Sequence, residues 1–311
     1  MKDPIESTDR FPSSIVCALD FEARASHAAT AALWLSERLN VPLEFVHAFP
    51  PRPLFWGKEA DMPEWERGTE TTGAVLLESL RGILASAPAE LQLRTAPDRL
   101  RIHVTSGPPA HVILQRAREV RADLVVLGAH HRHGGLDFGN TVRGVLAHAT
   151  AGVWVQREPL RPVRRILVPV DLSPDSLRAL AIARDLAKSV DARLTVFEAF
   201  ELPAAVVHLA GDGSTDSTRV LDRLLGAERT RFESTLAAFD WRGVPHETRF
   251  ERGDPAQTTL AQQDEHDLIV MGTHGWTGLA AALLGSVTYT VTRSARIPVL
   301  ALRGSRGTFL I

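Results

Sequence analysis

The sequence has little of what marks secreted, nucleic-acid-binding or membrane proteins. It contains one cysteine, Cys17, in 311 residues, so no disulfide forms within the chain. Cys17 lies in an apolar run, which favours a buried structural thiol and fits a reducing compartment. The formal net charge is only -2, with both signs interspersed, and predicts neither a nucleic acid nor an anionic membrane as partner. The first ten residues lack the apolar segment of a secretory signal, so we expect a cytoplasmic protein.

Charged residues are also absent from one long stretch, Leu268–Thr292, where 25 residues contain no Asp, Glu, Lys or Arg. This length would be enough to span a bilayer. The stretch nevertheless contains several glycines and threonines, and the matching part of the first half carries the charged residues Arg132, Asp137 and Arg143. We therefore predict a glycine-rich loop here and no membrane-spanning helix.

The two halves of the chain repeat one pattern. Residues 14–20 (SIVCALD) match residues 165–171 (RILVPVD), and both runs are typical of a buried strand that ends in an aspartate. Residues 106–128 match residues 252–272, where a glycine and proline turn precedes a helical pattern and an apolar run ends in glycine. This self-similarity indicates a duplicated domain.

The alternation of strand and helix patterns in each half is typical of parallel sheets with right-handed crossovers. We predict an α/β protein of two tandem doubly wound, Rossmann-like domains, each with a five-stranded parallel sheet flanked by helices. The predicted domains are residues 1–157 and 164–311, joined by a proline-containing linker at 158–163. In such sheets ligands bind at the carboxyl ends of the strands, near the switch in strand order.

A glycine-rich loop of the second half falls at that edge. It contains Gly272 and Gly275, then nine residues, then Gly285 and Ser286 ahead of a predicted helix. Glycines let the backbone approach a ligand closely, and free N–H groups at a helix start, with the Ser286 hydroxyl, bind oxyanions. The loop has no Lys or Arg, so it is not a Walker-type loop. Most residues after Ser286 are β-branched, which weakens the helix prediction.

The pattern G-x2-G-x9-G-S, the opening strand ILVPVD and the GDPA before the third helix resemble the universal stress protein family, twice and over nearly the whole chain. The glycine pattern resembles that of the family's ATP-binding branch. The resemblance implies that the second half binds ATP, with or without magnesium. It implies phosphate contacts from Gly272, Gly275, Gly285 and Ser286, and an adenine and ribose pocket lined by Pro169, Val170, Asp171 and Ala199. Trp276 stands where the family often has a basic residue, which predicts weaker phosphate binding.

Asp171 has two interpretations on physical grounds alone. A carboxylate at this strand end can accept hydrogen bonds from ribose hydroxyls or an adenine amino group. It can also cap the helix that follows the strand, as Asp residues often do. The same two interpretations apply to Asp20 in the first half.

The glycine loop of the first half departs from the pattern. His131 replaces the second glycine, the spacer is two residues shorter, and Asn140 replaces the serine. The opening strand ends in Ala18-Leu19-Asp20, without the proline. We expect a scaffold or a differently tuned pocket in this half.

Two other features of the first half leave alternatives open. His130, His131 and His133 have the imidazoles that zinc sites use, but no cysteine accompanies them. We favour a solvated polar loop and predict no metal site. The segment Pro50–Thr72 is a flap over the first site, a partner-binding surface or an ordinary variable loop.

Three functions remain in view. The preferred one is a stress-response protein that binds an adenine nucleotide in its second half and changes conformation or partners with occupancy. The second is a slow ATPase, although we assign no catalytic residue. The third is a scaffolding protein that binds a partner, lipid or metal through its first half. Because members of the family commonly associate through their last strands, the resemblance also implies a homodimer or an intramolecular pseudo-dimer of the two halves.

Overall fold

The computed structural model describes residues 11–20, 25–49, 69–95, 100–129, 140–201, 215–273 and 284–303. The chain forms two compact units. The first unit contains residues 1–162 together with residues 296–301, and the second contains residues 163–295 together with residues 302–311. The domain limits 1–157 and 164–311, with the linker 158–163, stay predictions.

The first unit alternates strands and helices. Its elements are β1 (Ile15–Ala18), α1 (Ala25–Leu39), β2 (Leu43–Phe49), α2 (Thr69–Ser86), a 3-10 turn (Ala89–Leu91), β3 (Ile102–Ser106), α3 (Pro109–Glu119), β4 (Leu124–Gly128), α4 (Asn140–His148) and β5 (Gly152–Gln156). These strands pair in parallel in the order β3-β2-β1-β4-β5. The strand β10 (Val299–Leu302), which is the last predicted strand of the second half, pairs antiparallel with β5.

The second unit repeats this arrangement. Its elements are β6 (Arg165–Pro169), α5 (Pro174–Val190), β7 (Arg193–Phe200), α6 (Thr215–Ala237), β8 (His246–Arg252), α7 (Pro255–Ala261), a 3-10 turn (Gln263–Glu265), β9 (Leu268–Gly272) and α8 (Ser286–Ser294). The strands pair in parallel in the order β9-β6-β7-β8. The predicted α/β, doubly wound fold class is confirmed. Strand order switches between β6 and β9, which is where ligands bind in folds of this kind.

Local sequence explains where the helices of the second unit begin. The Ser173 hydroxyl accepts a hydrogen bond from the Ser176 N–H at 3.3 Å, and Pro174 is the first residue of α5. The Asp254 carboxylate accepts one from the Gln257 N–H at 2.7 Å at the start of α7. Both are side-chain caps followed by proline at the first helical position, where its missing N–H does no harm.

The central strands form the cores of the two units. Val16 and Cys17 of β1 and Val168 of β6 are fully buried. Burial raises the pKa of the Cys17 thiol, with the nearby Asp20 acting in the same direction. Among the described residues, no helix is both long enough and apolar enough to cross a membrane.

Candidate functional site

The predicted site residues that the structure describes lie at the carboxyl edge of the second unit's sheet. Pro169 is the last residue of β6, Gly272 is the last residue of β9, and Ala199 is the last but one residue of β7. Because β6 lies between β9 and β7 in a parallel sheet, these three positions come to the same edge. Val170 continues β6, and its N–H donates to the Phe197 carbonyl at 2.9 Å. The residues proposed to line a nucleotide pocket are therefore neighbours at the switch in strand order.

Asp171 builds the turn between β6 and α5. Its Oδ1 accepts hydrogen bonds from the Ser173 N–H at 3.0 Å and from the Ser173 hydroxyl at 2.5 Å. The Asp171 N–H donates to the Ser176 hydroxyl at 3.3 Å, and Leu172 between them has a φ of +57°. Asp side chains commonly form such a turn with the backbone two residues on, and the N-cap of α5 is Ser173 rather than Asp171. A carboxylate has room for about four hydrogen bonds, so the turn is compatible with a ligand role for Asp171.

Gly272 is required by packing. A Cβ at this position would lie 2.9 Å from both the carbonyl carbon of Asp175 and the backbone nitrogen of Ser176. Those are backbone atoms in the first turn of α5, so they cannot yield as a flexible side chain would. The end of β9 and the start of α5 thus touch directly, and the absence of a side chain at Gly272 allows this contact.

The described residues on either side of that loop are held together at its base. The Gly285 N–H donates to the Thr273 carbonyl at 2.9 Å, and the Thr288 hydroxyl donates to the Gly272 carbonyl at 2.7 Å. Helix α8 therefore begins next to the carboxyl end of β9. Gly275, a predicted phosphate contact, and Trp276 lie outside the described residues.

The amino terminus of α8 is suited to an anion. Gly285 is its N-cap residue and makes no side-chain capping bond, and the first turn has no acidic residue. Ser286, the first helical residue, is exposed. The N–H groups of the first turn of a helix have no partners within the helix, and the helix dipole favours negative charge beside them. The geometry thus offers backbone N–H groups and one hydroxyl to an oxyanion at this edge.

Helix α8 forms even though its sequence is rich in β-branched residues. Thr288, Val291 and Thr292 are buried. The Thr288 hydroxyl bonds to the Gly272 carbonyl, and the Thr292 hydroxyl donates to the Thr288 carbonyl at 2.7 Å. The Thr292 bond lies within the helix, so it is the burial of these side chains and the tertiary bond from Thr288 to Gly272 that override the weak helix propensity.

Sequence reasoning missed Glu198, the neighbour of Ala199 on β7. Its side chain is buried, with the residue 5% exposed, and Oε2 has no hydrogen-bond partner among the residues that the structure describes. The pKa of Glu198 is raised to about 8, mainly by burial and also by the nearby Glu228 and Asp171, while Arg231 opposes them. Glu198 is therefore protonated at neutral pH. The available signal was one acidic residue inside the apolar run of β7, at the position that His47 occupies in the first repeat.

The corresponding edge of the first unit is described only in part. Gly128 ends β4 and Asn140 begins α4, while residues 130–139, which include the three histidines, lie outside the described residues. So do residues 50–68 of the predicted flap or loop. Within the described ranges, no three His, Cys, Asp or Glu side chains come together as a metal site.

Comparison with known proteins finds relatives over both halves. The profile of the Universal stress protein family matches residues 13–157 and again residues 162–303. A universal stress protein from Mycobacterium tuberculosis is 27% identical over 300 residues, covering 94% of this chain and 96% of that protein. One from Methanocaldococcus jannaschii is 34% identical over 142 residues, covering 45% of this chain and 82% of that protein. The solved structure of a universal stress protein from Archaeoglobus fulgidus matches with a TM-score of 0.62 and 17% identity, covering 94% of this chain and 97% of that chain.

Proposed function

Because this chain belongs to the universal stress protein family and carries the family domain twice, we propose that it binds an adenine nucleotide in its second half and acts as a regulatory binding protein in a stress response. The observation that supports this most directly is the start of α8. There an uncapped helix terminus lies beside the carboxyl end of β9 at the switch in strand order.

The proposed ligand is ATP, with or without magnesium. Its phosphates would lie against Gly285, whose own N–H is bonded to the Thr273 carbonyl, and would be held by the N–H and hydroxyl of Ser286 and by the backbone at Gly272 and Gly275. Pro169, Val170, Asp171 and Ala199 would line the adenine and ribose pocket. Glycine at these loop positions lets main-chain donors reach a phosphate, and the α8 dipole favours its charge.

The two halves differ in this proposal. Asn140 begins α4 where Ser286 begins α8, and the first loop lacks the second glycine of the pattern. We therefore propose one nucleotide per chain, bound in the second half. We assign a binding role and no catalytic residue, and we place the protein in the cytoplasm as a homodimer or an intramolecular pseudo-dimer of its halves.

The test is calorimetric titration of the nucleotide-stripped protein with ATP, AMP and GTP, each with and without magnesium. The key variant is Ser286→Asp. An acidic residue in the first turn stabilises a helix, so the variant should fold at least as well as the natural protein. The same charge should repel a phosphate, so adenine nucleotide binding should be lost.

Asn140→Asp provides the matched control, because it places the same charge at the same position of the first repeat. Selective binding of adenine nucleotides near one site per chain, retained in Asn140→Asp and lost in Ser286→Asp, would support the proposal. The opposite pattern would put the nucleotide in the first half. The absence of binding by the natural protein would contradict the proposal altogether.

A further inference from the structure

A polar cavity lies at the opposite, amino-terminal edge of the second unit's sheet. Its volume of about 550 Å³ is within the range of small-molecule sites. The first residues of three neighbouring strands line it: Arg165 of β6, Arg193 of β7 and His246 of β8. Because β6 rises by about 3.3 Å per residue over its length, this edge is roughly 13 Å from the proposed nucleotide site. The cavity is therefore separate from that site.

Two arginines are placed side by side in this cavity. Arg165 and Arg193 are partners in the parallel register of β6 and β7. Residues in register on adjacent strands have their side chains on the same face, and like charges at such positions repel each other. The pair is therefore destabilising unless negative charge compensates it.

Of these two arginines, Arg165 is paired with a carboxylate, whereas Arg193 is exposed and, within the described ranges, is not. Asp267 accepts a hydrogen bond from Arg165 Nη2 at 2.9 Å, and also from the backbone N–H groups of Arg164 and Arg165 at 3.0 and 2.9 Å. Among the described residues, Arg193 takes part in no ion pair. The charge of Arg165 is thus neutralised by Asp267, whereas that of Arg193 is not neutralised by a described carboxylate.

The third arginine of the cavity, Arg249, is paired with both carboxylates of its lining, Glu247 and, at 3.9 Å, Glu265. Arg249 Nη2 donates to Glu247 Oε1 at 2.7 Å, and that oxygen also accepts a hydrogen bond from the buried Thr195 hydroxyl at 2.9 Å. His266, which lines the cavity, donates from Nδ1 to the Gln262 carbonyl at 2.8 Å, and burial lowers its pKa. A neutral His266 adds no positive charge. Arg165 and Arg249 each have a carboxylate partner, so Arg193 is the arginine of the cavity that has none among the described residues.

We propose that this cavity binds a small anion whose phosphate or carboxylate group bridges the guanidinium groups of Arg165 and Arg193. Arginine binds both groups through paired N–H donors in a planar fork. An oxyanion between the two arginines removes the repulsion between them. The buried hydroxyl of Thr195 and the imidazole of His266 form polar walls for the rest of the ligand, which suits a hydroxylated phosphate ester or hydroxy acid.

The experiment titrates the full-length protein with three probes: inorganic phosphate, glycerol 3-phosphate and malate. Binding is followed by the ring resonances of His246 and His266 in two-dimensional NMR spectra. The variant Arg193→Gln removes the positive charge that has no carboxylate partner among the described residues. Arg223→Gln, an exposed arginine of α6 outside the cavity, is the matched control. Ser286→Asp is included because phosphate probes also fit the glycine loop.

We expect saturable shifts at both histidine rings, with binding about tenfold weaker in Arg193→Gln, which is the effect of losing one charge-assisted contact. Arg223→Gln and Ser286→Asp should bind as the natural protein does. Binding of the phosphates alone or of malate alone supports the proposal and identifies the ligand class. Equal affinity in Arg193→Gln, or no saturable shift with any probe up to about 10 mM, would overturn it.

Discussion

The buried carboxyl group of Glu198 should make the stability of the second unit depend on pH. In the folded chain its pKa is about 8, against an ordinary value of 4.5 for glutamate. Between these two values the folded state holds a proton that the unfolded state has released. The free energy of unfolding should therefore fall as pH rises through this window. The contribution is complete below 4.5 and lost once pH rises through about 8.

The size of the effect follows from the same two values. A tenfold change in proton affinity corresponds to about 1.4 kcal/mol, so the difference between 4.5 and about 8 sets a ceiling of roughly 5 kcal/mol. Water penetration and relaxation reduce the penalty for a buried charge in real proteins, and we expect about half of that ceiling. Glu228, the strongest influence on Glu198 after burial, should contribute part of it, so Glu228→Gln should move the window to lower pH.

Urea unfolding across the pH window tests this expectation. Glu198→Gln keeps the shape of the side chain and cannot ionise, so its stability relative to the natural protein should increase steadily as pH rises. Glu233→Gln, an exposed position on the same helix as Glu228, is the control and should show no such trend. Hydrogen exchange at the β7 amides assigns the change to the second unit. Parallel stability curves for the natural protein and Glu198→Gln would refute the assignment of a raised pKa to this residue.

Three further outcomes follow from contacts described above. Gly272→Ala should lower the free energy of unfolding by about 1–3 kcal/mol, because the added Cβ would meet backbone atoms of α5. Gly226→Ala in α6, where the added Cβ meets open space, should raise the free energy of unfolding by up to about 1 kcal/mol in the same urea assay. Asp254→Ala should lower the free energy of unfolding by about 1 kcal/mol, because the Gln257 N–H at the start of α7 loses its side-chain acceptor. An unchanged denaturation midpoint would count against the stabilising role of this cap. Cys17 should react with a thiol reagent only on unfolding, because it is fully buried and its pKa is raised, and rapid labelling of the native protein would contradict this.

The elements that could be predicted from sequence are those with a local signal. The run Arg165–Pro169 is apolar and β-branched beyond its first residue, and it forms a parallel strand, while Ser173 and Pro174 mark the start of α5 as expected. The helix after Gly285 was the weakest of these predictions, because its β-branched residues favour strands. It forms because its apolar face is buried and the Thr288 hydroxyl donates to the Gly272 carbonyl of β9, and propensity contains no information about such contacts.

The rest depends on contacts between residues that are distant in the chain. The raised pKa of Glu198 arises from burial and from Glu228, which is 30 residues away in sequence. The packing role of Gly272 depends on α5, nearly 100 residues earlier. In the same way, nothing in the short run Val299–Leu302 identifies β5 as its partner. The roles of Gly272 and Gly285 toward a phosphate stay predictions, as does that of Gly275.

The pairing of β10 with β5 has a consequence for how the protein is made. Residues 296–301 belong to the first unit, yet the ribosome supplies them only after both repeats have been translated almost in full. Until then β5, which contains the large side chain of Trp154, is an open edge whose N–H and C=O groups can pair with another nascent chain. The first repeat is therefore synthesised first but completed late, and a fragment that ends after it should associate or aggregate through the β5 edge that β10 covers in the intact chain.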